Sequence, residues 1–297
     1  MPSSQFLRNV VFPTDFSASS EATVSHVVGL ATAVKAKVWL LNVVPSLTEW
    51  HGPSEDYFGP FTGSALIQLE SERKTLEMGR LERLRCLQKQ HFADLESEIS
   101  VKSGGVGESI VDHAVEANAD LLMIPTRGLG IMRRFLIGSI AAKVLHDAPC
   151  AVWTSPHPRE LDPFRPYRHI LLAIDYQSPS LELVAHAWKF AEHFKARLSL
   201  VGALPGHSDH GPELARKYQR ELTEAVKHRI DTIIPNPAVH LLEGSPGEVI
   251  RQVAEVEETD LIITGLGHME ESMGRVLTHI YEIIWFAPCP VITLRYN

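Results

Sequence analysis

The sequence predicts an α/β protein of two tandem doubly wound domains, each with a five-stranded parallel sheet. Three observations carry that prediction. The chain has 297 residues, about twice the ~150 of one average domain. Its first strand-like run, from Asn9 to Asp15, recurs 160 positions on, from His169 to Asp175. In each copy, short apolar runs alternate with helix-like stretches, as in a parallel sheet covered by helices on both faces.

The elements of the first copy follow in order. Residues 9–13, apolar from Val10 onward, read as a strand. Residues 17–35 read as a helix, with Ala22, Val27, Leu30, Ala31 and Val34 on one side. A second strand is expected at 37–44, then a long helix at 66–91 that repeats Leu69, Leu76, Leu84 and Leu87 at near-helical spacing. Strands at 96–102, 120–125 and 151–154 then alternate with helices at 107–117 and 139–147.

The repeat extends through these elements. At the same offset, 36–45 matches 196–205, His26 meets His186 and Ala31 meets Ala191. After a contraction of 20 residues the offset becomes 140, and Gly104, Gly107, Glu108 and Ile110 match Gly244, Gly247, Glu248 and Ile250. Asp120-Leu121-Leu122 then meets Asp260-Leu261-Ile262, and 148–152 meets 287–291. The domains are therefore placed at 1–154 and 167–297, joined by a linker at 155–166 whose four prolines oppose helix and sheet hydrogen bonding. The residues missing from the second copy correspond to a long loop around 49–63, which reads either as a lid or as a disordered insertion.

Composition excludes several classes. Apolar residues make up 44% and charged ones 22%, a globular balance. A formal charge of −8 argues against a broad nucleic-acid or anionic-membrane surface. Three cysteines (Cys86, Cys150 and Cys289) are too few for a disulfide framework or a four-thiolate zinc site and fit a reducing cytoplasm. No leader-like or bilayer-spanning run is read.

In a doubly wound sheet, ligands sit beyond the carboxyl ends of the strands where the winding reverses. The first strand ends at Pro13-Thr14-Asp15, and the fourth at Ile124-Pro125-Thr126-Arg127-Gly128, followed by a segment with Gly130, Arg133, Arg134, Gly138 and Ser139. Glycines let backbone amides approach an anion, and a helix N-terminus adds free N–H groups. With Arg127, Arg133 and Arg134 nearby, phosphate is the natural ligand; the same composition also fits a surface turn with solvated arginines.

At these residues the chain resembles the tandem members of the universal stress protein family, over nearly its whole length. The opening signature reads Val11-Phe12-Pro13-Thr14-Asp15-Phe16-Ser17, and the Gly-x-x-Gly, nine residues, Gly-Ser/Thr signature reads Pro125-Thr126-Arg127-Gly128, nine residues, Gly138-Ser139. The resemblance implies a Rossmann-like fold of the adenine nucleotide alpha hydrolase type, strand order 3-2-1-4-5. It also implies adenine nucleotide binding, usually ATP, with Mg2+ as a possible companion. Asp15 and Val43 are then expected beside the adenine, and Gly128, Gly138, Ser139 and Ile140 on the ribose and phosphates. With Pro13, Thr14, Ile124, Pro125 and Arg127, these complete the expected nucleotide site. One position departs from the pattern: Pro125 stands for the first glycine and removes a backbone donor. The second copy departs further, with Gly265-Leu266-Gly267-His268 and Thr278-His279 in the equivalent places, and Glu270 and Glu271 where the first copy has arginines.

Other chemistry has little support. His207-Ser208-Asp209-His210 has metal-like side chains without a fixed third ligand, so no metal is expected. Cys150 and Cys289 read as core thiols, Cys86 as an ordinary helix residue, and His26 and His186 as shared scaffold positions. There is no P-loop and no set of nucleophile and base, so the chain is not expected to be an enzyme; any ATP hydrolysis would be slow. Two functions follow. One is a cytoplasmic stress-response regulatory protein holding ATP in its first domain. The other is a nucleotide-free scaffold whose domains pair as an intramolecular pseudo-dimer through the strands at 151–154 and 291–294, with a homodimer as a further possibility. Neither nucleic acid nor membrane is an expected partner.

Overall fold

In a computed structural model, the described residues are 7–45, 63–126, 137–155, 161–205, 212–267 and 273–296. They form β1 (Asn9–Pro13), α1 (Ala18–Val34), β2 (Lys37–Pro45), α2 (Gly63–His91), β3 (Ser97–Gly104), α3 (Val106–Glu116), β4 (Leu121–Met123), α4 (Ser139–Asp147) and β5 (Ala151–Thr154). The second repeat gives β6 (His169–Ala173), α5 (Leu181–Phe194), β7 (Arg197–Leu204), α6 (Pro212–Ile230), β8 (Ala238–Glu243), α7 (Pro246–Val256), β9 (Leu261–Gly267), α8 (Met273–Phe286) and β10 (Val291–Tyr296).

The chain divides into two compact units, one carrying β1 to β4 with α1 to α4, the other β5 to β10 with α5 to α8. The strands of the first repeat lie in the order β3-β2-β1-β4-β5 and those of the second in the order β8-β7-β6-β9-β10, so both follow 3-2-1-4-5. Within each repeat the ladders with a recorded register are parallel. In the second unit β5 adds to β10 in the antiparallel sense, with Thr154, Trp153 and Val152 opposite Val291, Ile292 and Thr293. Burial agrees with the parallel ladders. Val10, Val11 and Phe12 of β1 and all five residues of β6 are buried, which suits central strands covered on both faces.

Helix ends follow local chemistry. Ser17 caps α1 by accepting the N–H of Ser20, and Ser180 caps α5 by accepting that of Leu183. Both helices end on a lysine in the left-handed conformation, Lys35 (φ 56) and Lys195 (φ 54), at matching positions of the repeat. Helix α5 begins three residues later than α1 because Gln177 stands where Ser17 caps the first copy, so the capping role passes to Ser180.

Two expectations are corrected. Strand β4 is shorter than 120–125, and its ladder to β1 covers only Leu121 and Leu122 before Pro125, which has no N–H to donate. Leu76 is 44% exposed and does not join the buried stripe of α2, which is carried by Leu84. At 29 residues α2 is about 44 Å long, whereas the nine residues of β2 span about 30 Å, so its early turns overrun the sheet.

Candidate functional site

The end of β1 is fastened by several hydrogen bonds. Thr14 is buried; its N–H donates to the Leu41 carbonyl at 2.8 Å, and its own carbonyl accepts from Asn42 Nδ2 at 2.7 Å. These bonds tie the exit of β1 to β2 one residue before Val43. Asp15 Oδ1 accepts the Ser17 N–H at 2.9 Å and the Ser20 hydroxyl at 2.7 Å, so the carboxylate sits over the first turn of α1, where the helix dipole favours negative charge. Between them Phe16 adopts φ 59, a left-handed backbone that its N–H supports by donating to Thr14 Oγ1 at 3.0 Å.

The other expected residues are placed as follows. Pro13 ends β1 and is buried; Val43 is half-buried on β2. Ile124 and Pro125 follow β4, both buried, and next to them the Thr126 hydroxyl donates to the Ser155 carbonyl at 2.7 Å. Gly138 is the N-cap of α4, with Ser139 and Ile140 in its first turn, and no side chain caps that helix. A helix start without a side-chain cap leaves N–H groups for an incoming acceptor. Arg127 and Gly128 lie outside the described residues, as do Gly130, Arg133, Arg134, His207 to His210, His268, Glu270, Glu271 and the loop 49–62. The structure therefore bonds Thr14 to Asn42 and, next along the chain, Asp15 to Ser17 and Ser20, while the glycine loop after β4 lies outside the described residues.

The second repeat is built differently at the same place. Asp175 is exposed, and its Oδ1 accepts the N–H of Gln177 at 2.9 Å. Tyr176 replaces Phe16 and packs against Gly202, where a Cβ would come within 3.3 Å of the tyrosine Cβ and 2.8 Å of a Leu241 methyl. Gly202 is the counterpart of Asn42, so the side chain that fastens the first-copy turn is missing here.

The repeated glycines serve packing. Gly104 and Gly244 both take φ +144 at the ends of β3 and β8, a conformation open to glycine. Gly107 and Gly247 open α3 and α7; a Cβ there would lie 2.7 Å from Lys143 Cδ and 2.6 Å from Glu282 Cγ. The repeated aspartates also have a scaffold role. Asp120 Oδ2 accepts the N–H groups of Arg8 and Asn9 at 2.7 and 2.9 Å, and Asp260 Oδ2 those of Arg168 and His169 at the same distances. Cys150 is buried and Cys86 exposed, and burial holds the Cys289 thiol well above the usual thiol range.

Two groupings were not visible in the sequence. On α2, the Arg83 and Arg80 guanidinium carbons lie 4.1 and 5.8 Å from the Phe16 ring centroid. In the second repeat, His169 Nδ1 donates to the Glu257 carbonyl at 2.7 Å, so in the neutral ring Nε2 accepts from Ser199 Oγ at 2.9 Å. Glu257 also receives Arg197 at 2.6 Å. This Ser-His-Glu grouping has no catalytic geometry: Ser199 is wholly buried, and the group lies at the N-terminal ends of β6 and β7. Burial pushes the His169 pKa below the ordinary value, with the Arg197 charge adding to the effect. A shallow cavity of about 350 Å³ lies between α6 and β8, lined by Gln219, Thr223, Val239 and His240, away from these groups. Among the described residues no set of three His, Cys, Asp or Glu is grouped to hold a metal, and no described helix is long and apolar enough to cross a membrane.

Comparison with known proteins gives consistent results. The model of the universal stress protein family matches residues 7–156 and again 166–295. A Staphylococcus aureus (strain USA300) protein named for that family is 30% identical over 147 residues, which is 49% of this chain and 81% of the relative. A universal stress protein structure from Archaeoglobus fulgidus DSM 4304 superposes with a TM-score of 0.63 at 17% identity, covering 98% of both chains. One from Pseudomonas aeruginosa UCBPP-PA14 gives 0.61 at 15%, covering 98% of this chain and 94% of its own. At these identities the superpositions speak to the fold alone.

Proposed function

The chain belongs to the universal stress protein family, in two tandem copies, and from that premise we propose that its first domain binds an adenine nucleotide, ATP, and acts as a cytoplasmic regulatory protein rather than an enzyme. The carrying observation is the pairing of two features in one repeat: a fastened Asp15 at the end of β1 and an α4 N-terminus with Gly138 as its cap and no side-chain capping hydrogen bond among the described residues. Asp15 offers a carboxylate acceptor suited to the amine of adenine, Val43 a half-buried apolar wall, and α4 a set of backbone donors for phosphate. Mg2+ would accompany the phosphates. Regulation would come from unequal affinity of the nucleotide for two conformations.

In this reading the domains span 1–154 and 167–297 around the linker at 155–166, and the second is a degenerate copy. Its exposed Asp175, its Tyr176 beside Gly202, and Glu270 and Glu271 in the signature segment all disfavour a triphosphate. The test is equilibrium titration of the purified chain with ATP and Mg2+, beside Gly138→Asp. Binding by the wild type that is lost in the variant supports the first-domain site; no binding at millimolar ATP overturns it.

The rival reading is a nucleotide-free scaffold whose domains form a pseudo-dimer. The β5–β10 ladder favours it, because a strand from the first repeat continues the sheet of the second and covers its edge. Hydrogen exchange distinguishes this reading: the amides of Trp153 and Ile292 should be protected together, and fast exchange of both would count against it.

A further inference from the structure

We propose that the outer edge of β8 is a strand-pairing surface for a second copy of this chain, and that Gln219 of α6 holds it shut. The strand order of the first repeat ends on β3 and that of the second on β8, so among the described residues each has one side with no strand beside it. Such a side is a row of backbone donors and acceptors, and it fits the backbone of another extended segment, above all the same strand of another molecule. Backbone direction shows which groups lie there. The Glu96 carbonyl accepts the Val38 N–H at 2.9 Å and so faces β2; carbonyls alternate in direction along a strand, which turns that of Ser97 outward. On β8 the Gly244 N–H donates to the Leu204 carbonyl at 3.1 Å. The backbone groups of His240 and Leu242 then face β7, and those of Val239, Leu241 and Glu243 face outward.

A glutamine reaches each of these edges. Gln88 Nε2 of α2 donates to the Ser97 carbonyl at 2.9 Å and to its hydroxyl at 3.0 Å, and Gln219 Nε2 of α6 donates to the Leu241 carbonyl. The two are not copies of one residue: at the repeat offset of 140, Gly79 corresponds to Gln219 and His228 to Gln88. Each repeat reaches the same contact separately, from the helix that precedes its edge strand. The edges differ in what else protects them. Strand β3 carries Glu98 and Lys102, ion-paired to Lys37 at 2.5 Å and to Glu116 at 2.6 Å, and charge on an edge strand opposes pairing. In β8 the run Val239-His240-Leu241-Leu242 has no carboxylate, lysine or arginine, and the shallow cavity between α6 and β8 opens beside it. On β8, then, Gln219 carries the protection: while it occupies the Leu241 carbonyl, an incoming strand forfeits one bond of its ladder.

The experiment compares the full chain as wild type, Gln219→Ala and Gln219→Ala/Val239→Lys by sedimentation velocity over a concentration series, with hydrogen exchange at matched concentrations. Gln219→Ala is expected to self-associate at concentrations about tenfold below any association of the wild type, and the added lysine to reverse the effect. As the variant associates, the outward amides of Val239, Leu241 and Glu243 should gain protection, while those of His240 and Leu242, which face β7, stay protected throughout. A Gln219→Ala chain that keeps the wild-type mass at every concentration overturns the proposal. So does one that associates while its outward amides still exchange fast.

Discussion

Asp15 accepts a 2.7 Å hydrogen bond from the Ser20 hydroxyl, while the equivalent Asp175 is exposed and receives only the Gln177 N–H two residues on among its recorded hydrogen bonds. The difference traces to one substitution, Gln177 at the position of Ser17, since Ser20 and Ser180 are matching serines of the repeat. Ser17 caps α1 and brings Ser20 under the carboxylate; Gln177 cannot cap, and Ser180 is used instead as the N-cap of the shortened α5. Ser20→Ala should therefore weaken nucleotide binding several-fold by freeing Asp15, with little change in melting temperature. Ser17→Ala removes the cap itself and should cost about 1 kcal/mol of stability. Paired binding and melting measurements on the two variants would show the effects separating; equal loss of both properties would contradict this.

The repeated aspartates are predicted to be stability residues in both domains. Each takes two backbone N–H groups at the start of the first strand of its repeat, bonds between a carboxylate and strand ends distant in sequence. Asp120→Ala and Asp260→Ala should each cost about 1–3 kcal/mol, and the Asn variants less, because one amide oxygen can still accept. Urea unfolding of the four variants measures this directly.

Gly107 and Gly247 should differ when changed to alanine. At Gly107 the new Cβ meets the flexible Lys143 side chain, which bridges Glu108 and Asp147 at 3.0 Å each and can shift. At Gly247 it meets Glu282 Cγ at 2.6 Å and the Phe286 ring at 2.7 Å, and an aromatic ring has less room to move. Gly247→Ala is expected to destabilise by about 1–3 kcal/mol, whereas Gly107→Ala stays within about 1 kcal/mol because the helix propensity gained offsets the small displacement. Comparable melting temperatures for the two would argue against the packing account.

Stability should fall on mild acidification. His113 and His169 both have pKa values held below 6.5, each first by burial, with Lys102 and Arg197 respectively adding to the effect. Below that value the unfolded chain takes up protons that the folded chain does not, so unfolding becomes more favourable as pH drops, until the folded-state values are reached. Near neutral pH and above, neither form is protonated and the contribution vanishes. Urea midpoints at pH 7.5 and 5.5 should show the loss, and His169→Asn, which copies the first repeat's Asn9, should reduce it. An unchanged slope in that variant would assign the effect elsewhere.

Much of the fold is legible in the residues. Apolar runs, the repeat offset and the Ser17 cap locate β1, α1, β2 and α4 within a residue or two, because burial on both faces leaves strands with no polar alternation to confuse the reading. Leu76 misled because eight residues put it about 80° around the helix from the buried Leu84, while its neighbour Glu77 is the one that meets β3, accepting from Ser103 Oγ at 2.6 Å. Among the proposed site residues, Asp15 and Gly138 are reached through the family resemblance, and the sequence also displays where the second copy departs from the first. The arginines over Phe16 are not legible there: they lie on α2, more than 60 residues from Asp15, and only folding brings them together. The same holds for His169, Ser199 and Glu257, which come from three separate elements. Asp120 was visible as a match between repeats, but its two N–H partners were not, because backbone donors leave no sequence signal.

In the proposed function, two copies of one fold have unequal sites. The stoichiometry of ATP binding to the full chain in the presence of Mg2+, measured by calorimetric titration, tests it most directly. One nucleotide per chain, abolished by Gly138→Asp, is the expected result. Two equivalent nucleotides per chain, or a single one that survives Gly138→Asp, would contradict it.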